Sequence, residues 1–155
     1  MAFIYSKDKN DSLVVEDPIY GKIVVPYPFS DIVLTKEMQR LSGISQNGFS
    51  QLEFKELENN DRLSHSVGAF YVMSLFLKRL EEILKNFNIK LSEDDKDIAL
   101  CSMLLHDIGH GPFSHSLELV TNYSHEKRTT DILLGDTEVN KVITNFFGKK
   151  KVKKI

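Results

Sequence analysis

Leu104-Leu105-His106-Asp107-Ile108-Gly109-His110-Gly111-Pro112-Phe113-Ser114-His115 places three of the chain's five histidines within ten residues. The other two are His65 and His125, so none lies in the first 64 residues or the last 30. Imidazole and carboxylate together are good ligands for Zn, Mn, Fe or Ni. His106 and Asp107 fall where a helix is expected to end, and helical neighbours diverge by about 100°. They meet at one ion only if a third ligand arrives from another helix. Gly109 and Gly111 permit sharp turns and close backbone approach, and Pro112 fixes the exit. The conjunction reads as a site for a metal ion or a phosphate.

The elements on either side follow from periodicity and caps. Upstream, a helix opens at Ser92 with Asp95 three residues on, a capping-box-like start. It runs through Ile98, Cys101, Leu104 and Leu105 and is expected to stop at Gly109. Before it lies the clearest helix, from near Ser64. Ala69, Val72, Met73, Phe76, Leu80, Ile83, Leu84 and Phe87 form its apolar series. Lys78, Arg79, Glu81, Glu82 and Lys85 take the other face. His65, four residues before Ala69, falls on the apolar stripe and is expected to point inward as the third ligand. A lone histidine on such a face is ordinarily a satisfied core residue; the neighbouring His-Asp pair and glycines change that weight.

Downstream, short helices are expected over residues 113–122, 124–134 and 137–147, the last two closed by Gly135 and Gly148. At the N-terminus, β-branched runs over 12–15 and 22–25 flank the turn signals Asp17-Pro18 and Gly21, a hairpin pattern. Pro26 and Pro28 end the second run. Residues 31–42 read as one short helix through Ile32, Leu34, Met38 and Leu41. Residues 43–60 read as a loop with strand character at 49–54. The fold class is mainly α, a helical bundle with a short N-terminal β-hairpin.

Composition agrees. The chain has 155 residues, 41% hydrophobic and 27% charged, which is one ordinary globular domain. No apolar run approaches ~18 residues, so no membrane span is expected. The start, MAFIYSKDKNDS, lacks a basic segment followed by an apolar one and is not read as a secretory signal. Cys101, the one cysteine, excludes an internal disulfide framework and a cysteine-based zinc site. The cytoplasm is the expected compartment. The net charge of -2 is asymmetric: five of the 20 basic residues are Lys149, Lys150, Lys151, Lys153 and Lys154. Residues 1–148 then carry 15 basic against 22 acidic residues, a net -7. Such a body offers no broad nucleic-acid footprint. The basic tail, 149–155, is able to touch phosphates but reads as a solvated or artificial chain end.

The histidine stretch resembles the signature of HD-domain phosphohydrolases, and more narrowly of their deoxynucleoside triphosphate triphosphohydrolase branch. Asp17-Pro18-Ile19-Tyr20-Gly21, Gln39-Arg40-Leu41, Asp61-Arg62-Leu63-Ser64-His65-Ser66-Val67-Gly68 and Ser124-His125-Glu126 resemble further elements of that branch, in order. The resemblance runs from residue 17 to about 134 and implies an HD-type domain over 1–148. It implies that His65, His106 and Asp107 bind one divalent metal ion (Mn, Fe, Zn, Ni or Mg). It places His115 and His125 in the catalytic group, with Glu118 as the acid that orients His115. His110 and Arg62 would hold phosphate oxygens of a nucleotide substrate, a dNTP cleaved to deoxynucleoside and triphosphate. A phosphodiesterase or nucleotidase acting on another nucleotide, and a catalytically inactive remnant, are the alternatives.

The chain also departs from the family pattern. Tyr20 replaces a histidine, Ser42 a frequent second arginine, and Leu34 an aspartate that reads guanine. An aliphatic side chain cannot accept guanine's hydrogen bonds, so guanine-nucleotide activation is not expected. The family's last metal-binding aspartate lies well downstream, and Asp131 and Asp136 come too early for it. The domain therefore reads as truncated at its C-terminus and as a poor enzyme by itself. Val139, Val142, Ile143, Phe146 and Phe147 are expected to be left uncovered, favouring a homo-oligomer or a partner chain over the C-terminal helix.

Overall fold

The computed structural model describes residues 5–7, 11–47, 60–113 and 115–155. The strand character read at 49–54 lies outside the described residues. The N-terminal hairpin is present as β2 (Leu13–Asp17) and β3 (Gly21–Val25), and β1 (Tyr5–Lys7) adds a third strand in the antiparallel order β1-β2-β3. In the hairpin Leu13 pairs with Val25 and Val15 with Ile23. These alternate positions face one side of the pleat and are all buried. At the turn, Asp17 Oδ1 accepts from the N–H groups of Ile19 and Tyr20, each at 2.8 Å. Gly21 follows at φ 72°, a left-handed value that glycine adopts without cost.

The helix expected over 31–42 is divided into α1 (Phe29–Val33), α2 (Lys36–Gln39) and a 3-10 turn (Arg40–Gly43). Thr35 causes the break. Its backbone is extended, with ψ 149°, and its hydroxyl donates to the Ile32 carbonyl at 2.7 Å in place of a helical bond. The division lets Ile32, Val33, Met38 and Leu41 all reach the core.

The long helix, α3 (Arg62–Lys85), is capped by Asp61, whose carboxylate accepts from Ser64 N at 2.8 Å. Its covered face differs from the expected one. Leu63, Val67, Phe70 and Leu77 are buried, while Val72, Phe76 and Ile83 are exposed, Phe76 at 57%; Phe87, expected on this helix, lies beyond its end and is 67% exposed. The helix is apolar on more than one side, so periodicity alone does not choose the side that packs. Here α4 (Glu93–Leu105), the 3-10 turn and β3 choose it. His65 sits off the covered stripe, with 40% of its side chain exposed. It opens toward solvent instead of pointing into the core.

Ser92 caps α4 as expected, its hydroxyl accepting from Asp95 N at 3.1 Å. The helix stops at Leu105, four residues before Gly109. Then follow α5 (His115–Thr121), α6 (His125–Leu134), α7 (Glu138–Phe147) and α8 (Lys149–Val152). Ser124 and Thr137 cap α6 and α7, and Gly148 leaves α7 at φ 77°.

The chain itself covers its C-terminal helix, against the expectation of an open face there. Val139 and Ile143 are fully buried. Phe146 meets Tyr27 edge-on at 4.8 Å, and Phe147 lies 5.9 Å from Phe29. The N-termini of α2 and α7 also cap one another. The Glu37 carboxylate accepts from Glu138 N and Val139 N at 3.2 and 3.3 Å, and Glu138 accepts from Lys36 N at 3.0 Å. The basic end is not simply solvated either. Val152 is buried, Ile155 packs on the core, and Lys151 pairs with Asp94 at 2.6 Å. The two aliphatic residues, three apart, give that run an inward side.

Candidate metal and phosphate site

α3 supplies Arg62 and His65 from its first turn. The turn that ends α4 supplies His106 and Asp107. His65 Nε2 lies 3.8 Å from Asp107 Oδ2, His106 Nε2 lies 3.3 Å from Asp107 Oδ1, and the two imidazoles are 5.2 Å apart. One ligand atom from each of the three residues lies within 4.8 Å of the others. The three residues named from the sequence as ligands therefore converge.

Their chemistry suits a divalent ion. His106 Nδ1 is 2.8 Å from the Met103 carbonyl, which can only accept, so the proton sits on Nδ1 and the Nε2 lone pair faces the aspartate. Burial pushes the His65 imidazole below its usual pKa; His106 and Arg62 add to the effect and Asp107 opposes it. A neutral imidazole is the ligating form. Asp131 and Asp136 take no part: the first accepts from the Tyr123 hydroxyl, and the second pairs with Lys141 at 2.7 Å. Among the described residues this cluster has three members.

Arg62 is not at the rim of a cleft. Its side chain is 5% exposed and donates to Asp107 Oδ2, whose own side chain is 9% exposed. As the first residue after the Asp61 cap it turns inward beside Leu63, beneath the carboxylate.

A second cluster adjoins the first. Tight turns, with Ile108 N bonded to Leu105 O and His110 N to Asp107 O, fold the chain back after α4. They bury His110 with Nε2 3.5 Å from Asp107 Oδ1. Its ring stacks on His125 at 3.9 Å and 13°. His125 Nδ1 is 2.7 Å from Glu118 Oε1. An ionised carboxylate only accepts, so Nδ1 carries the proton, and Nε2 lies 3.5 Å from Glu126 Oε1. Glu118, expected to orient His115, bonds His125 among the described side chains. The side chains of His115 and its neighbour Ser114 lie outside the described residues.

Two features beyond the expected roles hold this arrangement. Arg40 Nη1 and Nη2 donate to the carbonyls of His110 and Ile108 at 2.7 and 2.6 Å, clamping the turn. Gly109 does not stop a helix; it lets the turn approach α6. A Cβ there would collide with the His125 carbonyl oxygen and come within 2.5 and 2.6 Å of Thr129 Oγ1 and N. Gly109→Ala is expected to cost about 1–3 kcal/mol or more, because backbone atoms and not a flexible tip must move. Urea unfolding of the variant measures the loss.

A cleft beside His125 is lined by Gly109, Gly111, Glu118, Thr121, Tyr123 and Arg128. Sequence reasoning passed over Arg128. The signal was its spacing, three residues after His125 on one helix.

Comparison with known proteins agrees with this geometry. The HD domain family matches residues 62–155. The uncharacterized protein YwfO of Bacillus subtilis is 36% identical over 135 residues, covering 86% of this chain and 30% of that protein. Deoxynucleoside triphosphate triphosphohydrolase SAMHD1 of Homo sapiens is 35% identical over 105 residues, covering 68% of this chain and 16% of that protein. The crystal structure of a phosphohydrolase from Bacteroides thetaiotaomicron superposes with a TM-score of 0.74 at 30% identity, over 92% of this chain and 33% of its own. The chain thus spans under a third of the length of these curated relatives. With more than half of its residues matched to that family, and with the paired His106 and Asp107 at its centre, the chain belongs to the HD domain family.

Proposed function

We propose that this chain carries the catalytic centre of a metal-dependent phosphohydrolase whose substrate is a dNTP, cleaved to deoxynucleoside and triphosphate. The observation that carries the reading is the adjacency of two clusters. His65, His106 and Asp107 form one, His110, Glu118 and His125 the other, and Asp107 Oδ1 lies 3.5 Å from His110 Nε2. The similarity to SAMHD1, named as a deoxynucleoside triphosphate triphosphohydrolase, supports the substrate class.

His65, His106 and Asp107 would hold a divalent ion, which would supply Lewis acidity toward a phosphoryl oxygen. The protein's own groups do the rest. His110, buried between Asp107 and His125, would meet phosphate oxygens by its place in the motif. As a water oxygen adds to the α-phosphorus and the bond to the 5′-oxygen breaks, His125, held by Glu118, gives its proton to the departing 5′-oxygen, a task suited to imidazole near neutral pH. His115 belongs to the same catalytic group by its place in the motif.

The test is to incubate the intact gene product with Mn²⁺ or Mg²⁺ and each dNTP in turn, and to separate the products. Metal-dependent release of inorganic triphosphate is the expected result. Release of orthophosphate or a nucleoside monophosphate instead would assign a nucleotidase or phosphodiesterase. The chain of residues 1–155 alone is expected to turn over more slowly, because its metal cluster has three ligands among the described residues.

A further inference from the structure

We propose that Arg128 is a phosphate-binding residue of the cleft beside His125, gripping the anionic chain of a nucleotide. The nucleotide rests on the function proposed above; the anion site rests on the local geometry. Arg128 follows His125 by three residues on α6, so the two share a face and line the same cleft. It is half-buried.

The chain has four arginines. Arg40 is spent on two carbonyls, Arg62 on Asp107, and Arg79 on Glu82 at 2.7 Å. Among the described residues nothing pairs with the Arg128 guanidinium. The acids around it are already engaged, Glu118 by His125 and Asp131 by Tyr123. A partly desolvated guanidinium with no counter-ion is unfavourable. A phosphate relieves that cost through the fork of parallel donors that arginine offers.

The surroundings point the same way. Gly111 lines the cleft without a side chain, so a ligand can approach the backbone there. Lys127 sits 5.2 Å from the centre of the Tyr123 ring and adds positive charge at the edge. The Arg40 guanidinium is held below the usual arginine range, by burial first and by Arg128 second, so the two cations act in one neighbourhood. Arg62, the arginine the sequence assigned to phosphate, is buried against Asp107, whereas Arg128 faces the cleft.

Calorimetric titration of the intact gene product with inorganic triphosphate, in EDTA, isolates this contact from the metal. Arg128→Ala is expected to weaken binding about 10- to 100-fold, the scale of lost charge-assisted hydrogen bonds. Arg128→Lys should recover part of the loss, and Arg79→Ala should match the unmutated protein. Equal affinity in Arg128→Ala, or no triphosphate binding by the unmutated protein, would overturn the inference. In the dNTP assay Arg128→Ala should raise KM while kcat stays within a few-fold. An unmutated protein that binds triphosphate through Arg128 yet turns over no dNTP would instead remove the proposed reaction and leave the anion site standing.

Discussion

Asp107→Ala should abolish metal retention and cost the fold about 3–5 kcal/mol, the scale of leaving one member of a buried ion pair alone. The two effects have one origin. Asp107 is the single carboxylate between His65 and His106, and it is also the acceptor for Arg62. Removing it takes the negative charge from the ligand set and strands a guanidinium whose side chain is 5% exposed. Elemental analysis reads the first effect and urea unfolding the second. Arg62→Met in the same background separates them: stability should return in part as the stranded charge is removed, while metal content stays low. Full metal content in Asp107→Ala would remove this residue from the ligand set.

His125→Ala should lower dNTP turnover of the intact gene product by ~10²–10⁴, the usual contribution of a positioned acid or base. The loss should fall on kcat, because the proton given to the leaving oxygen is needed in the transition state and not for binding. Glu118→Gln should reproduce part of it. The amide keeps the shape but no longer fixes the proton on Nδ1 of His125, at 2.7 Å from the present carboxylate. Turnover near that of the unmutated protein in His125→Ala would remove His125 from the mechanism.

Much of this was legible in the residues. The hairpin, the capped start of α4 and the places of α6 and α7 follow from local signals, whereas the grouping of His65 with His106 and Asp107 rested on the family resemblance and on an inward His65. What failed was the choice among faces. α3 is apolar on several sides, and only its neighbours decide that Leu63, Val67 and Phe70 pack while Phe76 and Ile83 do not. The same ambiguity turned His65 inward in the sequence and outward in the fold. It also left α7 open, because nothing local shows that Tyr27 and Phe29 reach Phe146 and Phe147. Thr35 could not be read as a break, since its hydroxyl competes with a helix only once Ile32 O is in reach. Arg62 and Arg128 look alike as letters; burial against Asp107 and exposure to a cleft set them apart.

The clamp by Arg40 bears on how the site forms in time. Its two bonds join residues 70 and 68 positions apart. Closing a loop of that size spends chain entropy before any contact repays it, and long-range contacts of this kind slow folding. α3 and α4 can form and pair as neighbours in sequence, bringing His65 near His106 and Asp107 early. The carbonyls of Ile108 and His110 are fixed only when the 3-10 turn docks. The clamp thus ties the turn that carries His110 to a segment far earlier in the chain, so the site is expected to be complete only when the 3-10 turn has docked.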